Sequence, residues 1–162
     1  MTTTNTPETA SVITPAEALE HWQGHRRLTR RMIVAFPDDQ LFSHSVGGMR
    51  TFGELVLEFL AMGVPMLEEI TGEQARQYEL PTAQSKEELL RAWDQATEEL
   101  NTLWARLPVE RFHETHTAFG QYTSKVWDLI WYCIDNEIHH RGQGYVYLRS
   151  LGVEPPAFYD RE

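Results

Sequence analysis

Cysteine is almost missing from this sequence. Cys133 is the single one in 162 residues, which excludes an internal disulfide framework and any cysteine-rich zinc module. Basic charge is also scarce: 14 Lys+Arg stand against 24 Asp+Glu, a formal net charge of −10. That deficit argues against a duplex-DNA binder, which needs a basic footprint, and against docking on anionic lipid, which needs clustered Lys and Arg. No apolar run is long enough to span a bilayer; the most apolar segment, Leu55 to Leu67, is short and holds Glu58. Residues 1–13 are polar and Thr-rich, without the basic start and apolar stretch of an export signal. The expectation is a soluble cytoplasmic protein with no direct nucleic-acid or membrane partner. There is also no glycine-rich phosphate loop, no Gly-x-Ser-x-Gly elbow and no His-Glu-x-x-His zinc helix.

What the chain does have is core-forming material, with 41% hydrophobic residues and five Trp. Thr14-Pro15-Ala16-Glu17 reads as a capping box with proline at the first helical position. Leu19, Trp22, Arg26, Thr29, Ile33 and Phe36 follow at three- and four-residue steps, up to a stop at Pro37. Thr51-Phe52-Gly53-Glu54 opens a second helix running to Ile70, with Pro65 inside it. Ser85-Lys86-Glu87-Glu88 opens a third, whose apolar face ends at Pro108. A fourth is expected from Ser124 to Leu151, stopped by Gly152 and Pro155-Pro156. No stretch alternates with period two, so no sheet is expected. Residues 1–13 read as a loose tail and 14–162 as one all-α domain, a four-helix bundle. The connections 37–50, 71–84 and 108–123 are long for a bundle.

The last helix concentrates the chemistry. Trp127, Ile130/Trp131, Ile134, Ile138 and Leu148 form its expected apolar band. Beside that band run Leu129, Cys133, Asn136, His140, Gln143 and Tyr147. Asn136 and His140 are four apart and point the same way. Their spacing is compatible with a metal or substrate site between helices, but isolated His and Asn more often satisfy each other in a buried hydrogen-bond network or lie on a boundary stripe touching water. Glu58 interrupts an apolar run, but Glu54, Glu58, Ala61, Pro65 and Glu68/Glu69 also line up as a solvent-facing stripe. His21 and His25 form another four-residue pair, which could hold a cation with Glu17 one turn earlier, although such a pair is commoner on the exposed polar side of an amphipathic helix. His113 and His116 flank Glu114 in a loop. Cys133 reads as a small core residue rather than a nucleophile.

Asn136-Glu137-Ile138-His139-His140-Arg141-Gly142-Gln143, followed by Tyr147-Leu148-Arg149, Gly152 and Pro155-Pro156-Ala157-Phe158-Tyr159-Asp160, resembles the C-terminal signature of the DinB-like proteins. These are the damage-inducible four-helix family, unrelated to the DNA polymerase that shares the name. Gly48 to Leu55 resembles that family's approach to helix 2, and the resemblance spans residues 15–160. It implies a DinB-like four-helix bundle with long crossover loops, in a homodimer linked to stress response. It also implies divalent-metal enzymes, among them thiol-cofactor-dependent transferases, with three histidines on zinc or nickel. Aligned on the motifs, those positions are Glu58, Asn136 and His140, so only His140 matches. Asn offers only a neutral carbonyl oxygen, and a Glu–Asn–His set favours a harder cation such as Mn, or no metal. The resemblance turns Glu58 inward, against the periodicity.

Two expectations follow. One is a metal-dependent enzyme of the thiol-transferase or hydrolase kind, with Glu58, Asn136 and His140 on Zn, Ni or Mn and with Gln143 or Tyr132 near a small-molecule substrate. The other is a catalytically silent, metal-free bundle that binds a small ligand or acts as a dimeric stress-response partner.

Overall fold

The computed structural model describes residues 12–72 and 77–162; most of the expected tail, residues 1–11, lies outside them. Helix α1 spans Pro15–Ala35 and α2 spans Phe52–Ile70. Each starts on the reciprocal box read from the sequence. The Thr14 hydroxyl accepts from the Glu17 N–H while the Glu17 carboxylate accepts from the Thr14 N–H, and Thr51 and Glu54 do the same. Helix α3 spans Lys86–Trp104, and its start differs slightly. The Ser85 hydroxyl accepts from the Glu88 N–H, but the Glu88 carboxylate takes the N–H of Gln84 instead of Ser85. Helix α2 continues through Pro65.

Helix α4 spans Val126–Ser150 and begins two residues later than expected, because Ser124 belongs to a strand. Strands β1 (Thr115–Ala118) and β2 (Tyr122–Lys125) pair antiparallel, with Thr115 opposite Lys125. This hairpin overturns the expectation of no sheet. Four residues are too few to show an alternation, and the turn chemistry lies in Phe119 and Gly120, at φ 54° and 66°. A short 3-10 turn, Val109–His113, precedes it.

α1 packs against α3 and α4, and α2 packs against the same two helices, so α1 and α2 lie diagonally across the bundle. The core has two apolar halves. One gathers Trp22, Leu67, Leu100, Ile130 and Ile134; the other gathers Met32, Phe36, Phe52, Trp93 and Leu148. Between them α1 contributes Gln23, Arg26 and Thr29, and α4 contributes Glu137 and Arg141, all buried. The bundle therefore has a polar waist.

That waist is closely bonded. Arg26 donates to the Thr97 hydroxyl at 2.9 Å and lies over the Trp93 ring, 3.9 Å from its centroid. Arg141 donates to the Thr29 hydroxyl at 3.0 Å and to the His25 carbonyl at 3.2 Å. Glu137 accepts from Thr29, and its Oε1 is 3.5 Å from Arg141 Nη1. Burial pushes the Glu137 carboxyl up, outweighing the pull of Arg26 and Arg141. Burial likewise pulls Arg26 down to about 10, so it stays charged at neutral pH.

The waist corrects two expectations. The inward line of α4 runs Ile130, Ile134, Glu137, Arg141 and Leu148, while Trp127 and Ile138 are exposed. An apolarity count cannot find an inward face that carries an ion pair. His25 is buried rather than on an exposed face, with Arg141 Nη2 2.8 Å from its Nδ1 and Arg161 Nη1 3.2 Å from its Nε2. Burial and these guanidiniums hold its imidazole down to about 3. Among the described residues no helix is long and apolar enough to cross a membrane.

Candidate functional site

Glu58 sits two turns into α2. Phe52, Leu55, Val56 and Phe59 turn their side chains into the core, and Glu58 falls at the margin facing α4. Its side chain is 15% exposed, as is that of His140, so the solvent-facing reading from periodicity fails. The other acidic positions in that stripe divide: Glu54 is exposed, while Glu69 is buried and accepts from the Phe119 N–H at 2.9 Å.

Asn136 and His140 occupy successive turns of α4 and meet Glu58 from the other side. Asn136 Nδ2 donates to Glu58 Oε1 at 3.0 Å, and His140 Nε2 lies 3.5 Å from the same oxygen. The His140 ring stacks on Phe59, with centroids 6.2 Å apart and planes 26° apart. Gln143 Oε1 is 3.1 Å from His140 Nδ1, which fixes the far side of the ring. The structure thus brings Glu58, Asn136, His140 and Gln143 together.

A fifth residue joins them, one that no sequence pattern singled out. Arg50, immediately before the α2 cap, pairs with Glu58 Oε2. Its backbone is pinned by Tyr147, whose hydroxyl donates to the Arg50 carbonyl at 3.0 Å. Burial opposes ionisation of Glu58, but the hydrogen bonds from Arg50 and Asn136, with the charge of Arg50, outweigh it and hold the carboxyl below its ordinary value. Helical periodicity cannot reveal Arg50, because it precedes the helix and reaches the site by the fold of its loop.

Tyr132 is exposed on α4. Tyr78 and Tyr122 are exposed as well. Burial and the charge of Glu58 push the Tyr78 phenol up, against the pull of Arg50, and Tyr122 and Tyr132 add to the effect. The weaker histidine candidates have other neighbours. His116 Nε2 on β1 lies 3.9 Å from Glu69, and His113 is exposed. His139 is exposed and meets His140 edge-on. Cys133 is buried, 3.8 Å from Met66 Sδ, and burial pushes its thiol up to about 12, as expected of a core residue.

The donor set does not fit zinc or nickel. Both Glu58 oxygens are engaged, one by a guanidinium whose charge opposes a divalent cation. Asn136 turns its NH2 group toward Glu58, and one imidazole remains. Among the described residues no group of three or more His, Cys, Asp or Glu is placed to hold a metal.

The fold and site define a four-helix bundle with a polar cluster in the seam between α2 and α4. The DinB family model matches residues 1–162, and the chain belongs to the DinB family. A crystal structure of a DinB-like protein from Bacillus cereus superposes with a TM-score of 0.70 at 19% identity, covering 89% of this chain and 97% of that one. A DinB-like protein from Bacillus subtilis gives the same TM-score and identity, covering 90% and 99%. At that identity the likeness speaks for the fold. No curated protein matches the chain.

Proposed function

We propose that this DinB-family chain is a metal-independent bundle that binds a small polar molecule at Arg50, Glu58, Asn136 and His140. Gln143 orients the His140 ring, and Tyr132 lies on the adjoining surface. The observation that carries this reading is the Arg50–Glu58 pair, completed by the Asn136 amide on the second carboxylate oxygen. The carboxylate is satisfied without an ion, and Arg50, nearly half exposed, presents donors to solvent. A homodimer is part of the same proposal, to be measured by light scattering of the full chain.

The metal-enzyme reading retains one favourable observation: Glu58 Oε1 approaches both Asn136 and His140, the positions that the family resemblance assigns to ligands. Elemental analysis of protein purified without an affinity tag separates the two readings. The metal-independent site predicts Zn, Ni and Mn far below one per chain, with no gain in thermal stability when each is added. One ion per chain, lost in His140→Ala, would overturn it.

A further inference from the structure

A second site lies on the opposite side of α4. A cleft of about 950 Å3 opens between α1, α4 and the C-terminal segment that follows Gly152. Its volume falls within the ~300–1,000 Å3 of small-molecule sites. Three guanidiniums, those of Arg141, Arg149 and Arg161, line it against a single carboxylate, Glu154. In a chain of net charge −10 this is a local reversal of sign.

The pairing of these cations shows which are available. Arg141 is bound to Glu137 and Thr29 in the waist. Arg161 Nη1 faces His25 Nε2 at 3.2 Å and His21 Nδ1 at 3.5 Å, and has no carboxylate partner among the described residues. Arg149 has none either, and lies 5.9 Å from the Tyr145 ring centroid. A neutral imidazole has one acceptor nitrogen, yet His25 meets guanidiniums on both ring nitrogens. Donors in this cleft outnumber acceptors. The remaining wall is apolar, with Ile138 and Phe158 both exposed.

We propose that this cleft binds an organic carboxylate with an apolar body, its carboxylate held by Arg149 and Arg161 and its body against Ile138 and Phe158. The charge favours a monoanion. Among the lining residues, with Arg141 balanced by Glu137, Arg149 and Arg161 against Glu154 leave one net positive charge, and Asp135 acts on His21 from outside the lining. Burial and Arg161 hold His21 below its ordinary value, and His25 is held lower still, so neither ring adds charge at neutral pH. The site is independent of the Glu58 cluster.

The test is calorimetric titration of the full chain with phenylacetate, phenyl phosphate and inorganic phosphate, together with NMR of the histidine ring signals. Phenylacetate should bind saturably and shift the His21 and His25 signals. Arg149→Gln, at an exposed position without an ion pair, should keep the fold by circular dichroism and weaken binding about tenfold. Arg91→Gln on α3 should leave binding unchanged. No saturable binding, preference for either phosphate, undiminished affinity in Arg149→Gln, or shifts at His140 instead of His21 and His25 would each overturn the proposal.

Discussion

Arg50 and Glu58 are ion-paired across the first two turns of α2, and this pair determines the character of the α2–α4 seam. It places a fixed cation beside a carboxylate that a divalent ion would otherwise need. The Asn136 amide takes the other oxygen at 3.0 Å, so the cluster is complete as a hydrogen-bonded unit.

If Glu58 and Asn136 stand where imidazoles would converge with His140, their replacement should create a metal site. Glu58→His/Asn136→His removes the carboxylate that holds Arg50 and supplies three imidazoles on facing helices. The double variant should take up about one zinc per chain by elemental analysis, and His140→Ala in that background should abolish it. A variant that folds and holds no zinc would show that the three positions do not converge closely enough.

Glu137 is the only carboxylate bonded into the waist beside Arg26 and Arg141 among the described residues. Glu137→Ala leaves buried guanidiniums uncompensated and should cost about 3–5 kcal/mol in urea unfolding. Glu20→Ala removes a surface pair to Arg27 and should cost no more than about 1 kcal/mol. Equal losses would mean that the waist is not the bundle's critical electrostatic layer.

Acid should weaken the bundle through His25. The unfolded imidazole takes up a proton as pH falls through 6.5, while the folded one resists until about 3. Its stabilising contribution is therefore complete above pH 6.5 and lost as pH falls, by up to about 1.4 kcal/mol per pH unit. His21 and His116, also lowered, act in the same direction. As pH falls toward the ordinary carboxylate value Glu137, which is raised, opposes the loss, and below that value Glu58, which is lowered, adds to it. His25→Gln should flatten the slope between pH 6.5 and about 5, measured by urea unfolding at each pH.

Two glycines of α4 should respond oppositely to alanine. A Cβ at Gly144 would lie 2.5 Å from the Phe52 ring, so Gly144→Ala should destabilise by about 1–3 kcal/mol. A Cβ at Gly142 meets nothing within 4 Å, and Gly142→Ala should stabilise by about 0.5–1 kcal/mol through helix propensity. Thermal melts of both variants check the pair. A stable Gly144→Ala would show that Phe52 can move aside.

The Tyr145 hydroxyl is buried without a hydrogen-bond partner among the described residues. Tyr145→Phe removes that unsatisfied group without changing the ring, so it should be neutral or raise the melting temperature. A clear loss of stability would reveal a partner for the hydroxyl.

Much of this architecture could be read along the chain. The Thr14 and Thr51 boxes, the Ser85 cap and the apolar steps through Trp22, Ile33, Trp93 and Leu100 are local patterns, and they place α1, α2 and α3 closely. The hairpin escaped because its strands are four residues long and pair only with each other. The α4 inward face escaped because Glu137 and Arg141 count as polar in any periodicity, and become core only once Thr29 and Arg26 are packed opposite them. Within the cluster, helical spacing put Asn136 and His140 on one face, and the family resemblance turned Glu58 toward them where periodicity alone turned it outward.

By itself the sequence determined the starts of α1, α2 and α3 and the residues able to fill a core, because caps and apolar spacing act within a few residues. It also set the overall acidic charge. Only the tertiary structure decided that Arg50 pairs with Glu58, that His25 is enclosed by Arg141 and Arg161, and that two guanidiniums without a carboxylate partner among the described residues share one cleft of an acidic chain. Partners brought from separate elements set the charge state and availability of each group, and no local pattern encodes who those partners are.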